Sequence, residues 1–183
     1  MSYAFRGEIE VKDVDEDAVN KAVYAVMKEQ EYDEDEISVI EENVDYSVNR
    51  MDCYFDRMDE DTVGTIEGFF CSVTNIIVKL YPDCSMYSHI CGTEMSSDTE
   101  SVYTVKLEDR KIKVLDFDYA VDWVECPNPE CGAGVVSWGD FDFDTEYDCD
   151  ECGRHLTVED MNKAISEYVE EYDVSEFIKT HCC

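Results

Sequence analysis

The pattern of apolar and polar positions predicts a strand and then a helix at the start of the chain. Apolar residues alternate with polar ones over residues 3–11, which is typical of a strand with one buried face. Helical spacing follows, with apolar residues at Val19, Ala22, Val23, Val26 and Met27. The acidic stretch 29–36 then predicts a solvated loop.

Short alternating segments predict strands in the next part of the chain. These strands are centred on Ile37 and Val39, on residues 44–48, and on Cys53 and Phe55. Polar residues near 41–43 and 49–52 predict the turns between them. We therefore expect a run of short strands after the first helix.

A second helix is indicated by apolar residues that share one helical face. They are Ile66, Phe69, Phe70, Val73, Ile77 and Leu80. Thr62 or Asp61 is expected to cap its start, and Pro82 prevents its continuation. Residues 83–100 show no clear pattern.

The second half begins with a predicted hairpin. Residues 103–107 and 112–114 alternate, and Asp109 with Arg110 is suited to the turn between them. The alternation then changes parity over Leu115, Phe117, Tyr119, Val121 and Trp123, which predicts a bulge or a crossing between sheets.

The C-terminal part of the chain predicts a helix. Thr157 and Asp160 have the spacing of a capping box, and a helical apolar stripe follows at Val158, Met161, Ile165, Tyr168, Val169 and Tyr172. The order of elements predicts an α+β domain over residues 1–122, with a mixed or antiparallel sheet and two helices. A cysteine segment at 123–156 follows, and then a C-terminal helix and tail at 157–183 that pack back on the protein.

Charge changes this picture more than any other bulk property. The chain has 14 Lys and Arg against 46 Asp and Glu, a net charge of −32, yet 44% of its residues are hydrophobic. The periodic apolar residues predict a folded protein in spite of the charge. Direct binding of nucleic acid through a basic face is not expected, because phosphate binding depends on Lys and Arg. Either the partner is basic or the charge only solvates the surface.

Residues 1–7 show no secretory signal pattern, and no apolar run approaches the ~20 residues that span a bilayer. We therefore expect a soluble protein of the cytoplasm. Without export, the paired spacing of the ten cysteines is better explained by metal binding than by disulfides.

Two tight cysteine turns carry the clearest chemistry. They are Cys126-Pro-Asn-Pro-Glu-Cys131-Gly and Cys149-Asp-Glu-Cys152-Gly153, separated by seventeen residues. Four thiolates form a closed tetrahedral site, with no open position for a reactive water. The segment resembles the zinc-ribbon family over residues 124–156, although its first turn has four intervening residues where two are commoner. The resemblance implies one structural Zn²⁺ ion held by Cys126, Cys131, Cys149 and Cys152.

Other cysteines and histidines allow weaker alternatives. Cys84, His89 and Cys91, with or without Cys71, are a possible second metal site, but these cysteines and Cys53 fit buried thiols better. His155 is an alternative ligand or an exposed residue near the metal. The terminal pair Cys182 and Cys183 is either a free tail or a lipidation site, although no nucleotide-binding motif accompanies it.

No catalytic constellation is evident, so we do not expect an enzyme. Small size, extreme acidity and no visible active site resemble the anti-CRISPR and anti-restriction DNA mimics of phages and mobile elements. That resemblance implies an inhibitor of a basic nucleic-acid-binding protein, such as a type II CRISPR effector nuclease, acting in the host-cell cytoplasm. The net charge equals that of about 16 base pairs of duplex DNA.

The alternatives are a zinc-ribbon adaptor for a protein partner in transcription or replication, and adaptation to high salt. The inhibitor hypothesis predicts that partner contacts come from clusters of carboxylates. These clusters are Asp33, Glu34, Asp35 and Glu36; Asp59, Glu60 and Asp61; and Asp140, Asp142 and Asp144.

Overall fold

The computed structural model describes residues 2–14, 17–97, 99–120 and 123–182, except the side chains of 118–120. Within these ranges the strands are β1 (Tyr3–Lys12), β2 (Asp45–Tyr46), β3 (Arg50–Met58), β4 (Ser85–Glu94), β5 (Thr99–Glu108), β6 (Lys111–Ala120), β7 (Trp123–Glu125), β8 (Gly134–Ser137), β9 (Tyr147–Asp148), β10 (His155–Leu156) and β11 (Val169–Asp173). The helices are α1 (Ala18–Glu29), α2 (Glu34–Asn43), α3 (Glu60–Leu80), α4 (Val158–Ala164) and α5 (Val174–His181), with a 3-10 turn at Trp138–Asp140.

Seven strands form one antiparallel sheet in the order β11-β6-β5-β4-β1-β3-β2, which confirms the α+β class. The cysteine segment adds two small hairpins, β7 with β8 and β9 with β10. The division at residue 123 stays a prediction. Although β11 and α5 come after the cysteine segment in the chain, β11 pairs with β6 and α5 contacts α3.

Two apolar cores lie on opposite faces of the sheet. The helix-side core joins the inner face of β1, with Phe5 and Ile9, to the helices. The cysteine-side core joins Val102 and Leu115, on the outer face, to the cysteine segment. The sheet is therefore a middle layer, with helices on one face and the cysteine segment over part of the other.

Helix α3 is the central element of the helix-side core. By length and composition it could cross a membrane, but Ile66, Phe69, Phe70 and Ile77 are completely buried on the sheet, which is typical of the core helix of a soluble protein. It begins one residue after Asp59, whose carboxylate accepts the Thr62 N–H at 3.0 Å. The predicted caps, Thr62 and Asp61, were wrong because both lie inside the first turn.

The predicted loop over 29–36 and the strand at Ile37 and Val39 were wrong from residue 34 onward, since α2 occupies Glu34–Asn43. The Asp33 carboxylate caps this helix by accepting the Glu36 N–H. In return, the Glu36 carboxylate accepts the Asp33 N–H at 2.9 Å. Carboxylates in the first turn stabilise a helix through its dipole. The residues that suggested a solvated loop are thus the helix start, and the predicted turn at 41–43 is its end.

Strand β4 occupies much of the stretch that showed no pattern. Its residues 88–92 are all buried, because helices cover one face and the cysteine segment covers the other. Such a strand shows no alternation. The predicted turn at 49–52 was also wrong, because β3 begins at Arg50 and Asp52 already pairs with Glu8.

The β5–β6 hairpin is confirmed, with its turn at Asp109 and Arg110, both at positive φ. The change in parity at Leu115 arises because apolar residues lie on both faces of β6. Ile112 and Val114 face the helix-side core, and Leu115 faces the cysteine-side core. A register shift occurs further along, between the pairs Glu100↔Ala120 and Val102↔Phe117. Val121 and the side chain of Tyr119 lie outside the described residues.

The predicted C-terminal helix was wrong beyond Ala164, where α4 ends. Its capping box at Thr157 and Asp160 is confirmed. Val169 and Tyr172 belong instead to β11, in which Val169 pairs with Leu115 and packs on the cysteine-side core. Pairing with the free edge of β6 outweighs the local helical pattern.

The backbone of one residue, Gly139, docks the cysteine segment onto the sheet. The carbonyl of Gly139 accepts hydrogen bonds from Arg6 and from His89 Nε2, the latter at 2.9 Å, and its N–H donates to Glu100 at 3.1 Å. A Cβ at this position would lie 2.6 Å from Cys91 Sγ. The contact therefore requires glycine.

We expect Gly139→Ala to lower the free energy of unfolding by about 1 to 3 kcal/mol, because the added methyl overpacks this contact. Gly68→Ala is the matched control. Gly68 lies inside α3, and a Cβ added there meets nothing within 4 Å. Alanine should stabilise that helix by about 0.5 to 1 kcal/mol. Denaturant unfolding of both variants tests the contrast, and equal effects would contradict it.

Candidate metal centre

The first cysteine turn is held at the end of the β7–β8 hairpin. The Cys126 N–H donates to the Ala133 carbonyl at 2.8 Å, and the Cys131 N–H donates to the Asn128 carbonyl at 2.9 Å. The backbone N–H groups of Asn128 and Ala133 are directed at the sulfurs of Cys126 and Cys131. Gly132 follows at φ +63°, a left-handed conformation that glycine adopts without strain.

The second turn repeats this arrangement between β9 and β10. The Gly153 N–H donates to the Cys149 carbonyl at 2.8 Å, and the Cys149 N–H donates to the Arg154 carbonyl at 3.0 Å. Gly153 has φ +66°, and the Arg154 N–H is directed at the Cys152 sulfur. Each turn thus presents two sulfurs toward the other.

The four predicted ligands come together. Their sulfurs all lie within 4.8 Å of one another, with Cys126 to Cys152 at 3.9 Å and Cys131 to Cys149 at 3.6 Å. Metal–sulfur bonds of about 2.3 Å in a tetrahedron place sulfurs about 3.8 Å apart. The four cysteines can therefore hold one metal ion in a zinc-ribbon-like segment.

Exposure differs among the four ligands. Cys126 and Cys149 are buried in the cysteine-side core, Cys131 is partly buried and Cys152 is exposed. The Arg154 N–H lowers the pKa of the Cys152 thiol to about 7. Although the Ala133 N–H acts in the opposite direction, burial and the neighbouring sulfurs raise the pKa of the Cys131 thiol to about 12, so metal binding must displace protons from this site.

The alternative metal site on β4 is not formed. Among the described residues Cys84, His89 and Cys91 make no metal-binding group, because Cys84 faces the helix-side core and Cys91 the cysteine-side core. The neutral His89 ring donates from Nε2 to Gly139 and accepts at Nδ1 from Thr104 at 2.8 Å. Both of its nitrogens are therefore engaged.

The other cysteines are packed thiols. Burial raises the pKa of the Cys53 and Cys71 thiols to about 12 and that of Cys84 and Cys91 to about 11. Such thiols are poor nucleophiles at neutral pH.

Two further sequence candidates lie outside the metal site. Exposed His155 contacts Asp148 at 2.9 Å and Glu146 at 3.3 Å. Cys182 is partly buried, and its thiol lies 3.5 Å from the Asn75 carbonyl, so it is packed and does not form a free tail. Cys183 lies outside the described residues.

One of the three predicted contact clusters forms contacts within the chain. Asp140 pairs with Arg6 at 3.0 Å and Asp144 with Lys106 at 2.6 Å, so both hold the cysteine segment against the sheet. The Asp142 carboxylate accepts the Asp144 N–H at 2.7 Å. Although burial acts in the opposite direction, hydrogen bonds from Ser137 and Arg6 lower the pKa of Asp140.

The other two predicted clusters lie on the helical layer, beside the β3–β2 edge of the sheet. Asp33, Glu36 and Asp59 cap helices, whereas Glu34, Asp35, Glu60 and Asp61 have exposed side chains. We call this region the acidic edge. It comprises Glu29, Glu31, Asp33, Glu34, Asp35, Glu36, Glu41, Glu42, Asp45, Asp59, Glu60 and Asp61.

The acidic edge has no basic residue in its own segments. Residues 29–49 and 58–78 contain no Lys or Arg, and all twelve carboxylates except that of Glu36 are exposed. The two segments pack together, with Tyr32 edge-on to Phe69 at 6.1 Å between ring centroids. Phe69 lies ten residues after Asp59, so the clusters at Asp33 and Asp59 are about 15 Å apart along α3.

Sequence analysis missed two groups of residues where the cysteine segment meets the sheet. Arg6, His89 and Gly139 are far apart in the chain, so no local pattern indicated their contact. An aromatic cleft around Trp123 and Trp138, beside the metal ligands, also went unrecognised. Its only signal is the concentration of both tryptophans of the chain in this segment.

Loss of the metal should unfold the cysteine-side core. We expect Cys152→Ser to reduce metal content below one ion per chain and to lower stability by on the order of 5 kcal/mol or more, since ligand binding and folding are coupled. Elemental analysis and thermal unfolding with and without a chelator measure this. Cys182→Ser is the control and should retain the metal; a native protein without metal, or one insensitive to a chelator, would contradict the assignment.

His89 should make stability depend on pH. Burial, aided by the Arg6 charge, lowers the His89 pKa from 6.5 to about 4. Between these values the unfolded chain binds a proton that the folded chain does not, so stability falls as pH decreases from about 6.5 toward 4. Relative to His89→Gln, the native protein should lose about 3 kcal/mol between pH 7 and 4. Denaturant unfolding across pH measures the difference, and parallel curves would contradict it.

No protein-family model, curated protein or solved structure matches this chain. The basis for inferring a function is therefore the chemistry of the cysteine site and the distribution of charge.

Proposed function

We propose that this chain is an acidic protein inhibitor that carries one structural Zn²⁺ ion and binds the basic nucleic-acid-binding surface of a partner protein. It would act in the cytoplasm and would not be an enzyme. The acidic edge is the observation that carries the proposal, and the metal site supports the fold that presents this edge.

The donor set supports zinc as the metal. Four thiolates at tetrahedral spacing suit Zn²⁺, and they leave no coordination position for water or substrate. Backbone N–H groups directed at Cys126, Cys131 and Cys152 offset the charge that the thiolates bring. Such a closed site favours a structural role.

A local excess of carboxylates supports the acidic edge as the contact surface. Five basic side chains lie on the outer face of the sheet and form ion pairs there: Arg6, Lys12, Arg50, Lys106 and Lys111. Their charge is thus neutralised within the chain, on the face opposite the helices. The acidic edge keeps its negative charge, which attracts a cationic surface and speeds the encounter.

The partner class follows from this charge. A channel that binds nucleic acid is lined by Lys and Arg, and carboxylates on two packed helical segments can compete for it. An RNA-guided nuclease of the type II CRISPR class is a suitable candidate, because its guide and target lie in a positively charged channel. The inhibitor would then block DNA binding or cleavage.

Neutralisation of the acidic edge tests the proposal. We expect a variant carrying Glu34→Gln, Asp35→Asn, Glu60→Gln and Asp61→Asn to bind the nuclease about tenfold more weakly, because long-range attraction is reduced. These substitutions leave the capping residues Asp33, Glu36 and Asp59 in place. DNA cleavage and complex formation are measured between about 50 and 300 mM salt, and binding by the native protein should weaken as salt rises.

A second variant with the same change in net charge is the control. It carries Glu130→Gln, Asp150→Asn, Glu151→Gln and Glu159→Gln, all exposed and outside the acidic edge, and should retain native affinity and metal. Loss of binding only in this control would favour the adaptor hypothesis, and equal loss in both would indicate non-specific attraction. No complex at low salt with the nuclease or any other basic nucleic-acid-binding protein would overturn the proposal.

A further inference from the structure

An aromatic cleft lies where the cysteine segment meets the sheet. Its volume is about 400 Å³, within the range of small-molecule pockets. Four aromatic side chains line it: Phe117 of β6, Trp123 of β7, Trp138 of the 3-10 turn, and Tyr168 before β11. Four separate elements of the chain thus supply its walls.

Three of these rings pack against one another and form a corner, which we call the aromatic corner. Phe117 and Trp138 stack with centroids 4.7 Å apart and planes 10° apart. The Tyr168 ring stands edge-on to both, at 5.0 and 5.1 Å. Trp138 is 5% exposed and Tyr168 is 38% exposed, so the corner is anchored inside and open to solvent at Tyr168.

Trp123 forms the outer wall and is held by the hairpin. It is 56% exposed, yet a Cβ on Gly134 would lie 2.7 Å from Trp123 Cβ and 2.9 Å from its Cγ. The indole therefore rests against the bare backbone of the paired strand. An exposed indole ring leaves a large apolar area in water, so a ligand that covers the ring gains binding energy.

The charge of the cleft is negative. Glu125 and Glu167 line it, and none of the described lining residues is Lys or Arg. A hydrogen bond with Glu167, together with the charges of Glu167 and Glu125, raises the pKa of Tyr168. Both carboxylates are thus close to the open end of the aromatic corner.

We propose that the aromatic cleft binds the guanidinium group of an arginine side chain presented by the basic partner protein. This inference rests on the proposed function. The cleft lies on the outer face at the β6–β11 end of the sheet, whereas the acidic edge lies on the helical layer at the β3–β2 end, so a separate part of the same partner carries the arginine. Aromatic faces attract a cation through the ring quadrupole, and the glutamates supply the opposite charge. Arginine side chains are abundant on surfaces that bind nucleic acid.

Guanidinium fits the cleft better than an ammonium group. It is planar and weakly hydrated, so it stacks on Trp123 or Tyr168 while its edge donates to carboxylates. A lysine ammonium is a compact, strongly hydrated charge that gains less from stacking. The cleft should therefore discriminate between two peptides of equal charge.

The experiment uses the full-length, metal-loaded protein and two short peptides that differ only in Arg or Lys at their basic positions. Both tryptophans of the chain line the cleft, so intrinsic tryptophan fluorescence reports on this site. We expect the Arg peptide to change the fluorescence in a saturable way and to bind about fivefold or more tightly than the Lys peptide. Calorimetry gives both affinities.

Variants then locate the contact. Trp123→Ala should weaken the Arg peptide about tenfold and leave the Lys peptide within about twofold, because only the first stacks on the ring. Glu167→Gln, an exposed and conservative change, should weaken the Arg peptide as well. Tyr54→Ala removes another exposed ring, on β3, and should leave both affinities unchanged. Metal content and thermal unfolding verify that each variant is folded.

The outcomes separate the two proposals. If the Arg peptide binds in a salt-dependent way but Trp123→Ala has no effect, the cleft assignment is wrong and the acidic edge remains the contact surface. If neither peptide binds at low salt and the nuclease forms no complex, the proposed function fails. Tighter binding of a trimethyllysine peptide than of the Arg peptide would overturn the choice of guanidinium.

Discussion

Coverage of both faces of one sheet is the constraint on which this structure depends. The helices cover the inner face, but the outer apolar positions, such as Val102 and Leu115, need a second layer that has little regular structure of its own. Two hairpins of two to four residues per strand cannot supply that layer unaided. A metal ion held by the four sulfurs would join them, so the metal site and the second core would depend on each other.

Ion pairs also join the layers of the molecule. Basic side chains such as Arg6 and Lys106 occupy the outer face, where they pair with carboxylates of the cysteine segment, including Asp140 and Asp144. Partly exposed pairs of this kind add little stability one by one, but they orient the segment on the sheet. Most of the remaining carboxylates cannot be paired within the chain, because 46 Asp and Glu face 14 Lys and Arg, and the acidic edge is one group of them.

Sequence patterns correctly predicted the elements that depend only on residues close together in the chain. The strand at β1, the core helix α3, the β5–β6 hairpin and the four cysteines all follow from spacing within a short stretch. Elements that depend on distant partners were missed: β4 lacks alternation because both of its faces are covered, and β11 exists because β6 has a free edge. The docking of Gly139 joins residues 39 to 133 positions apart, beyond any local pattern.

The late position of β11 and α5 has a consequence for synthesis of the protein. Until residue 173 has left the ribosome, β6 is an open edge strand, and Val174 and Phe177 are missing from the helix-side core. The unpaired N–H and C=O groups of an edge strand can form hydrogen bonds with other chains and cause aggregation. A shortened chain that ends before the cysteine turns would keep that edge permanently, so the sheet cannot be isolated as a smaller unit by simple truncation of the C-terminal third.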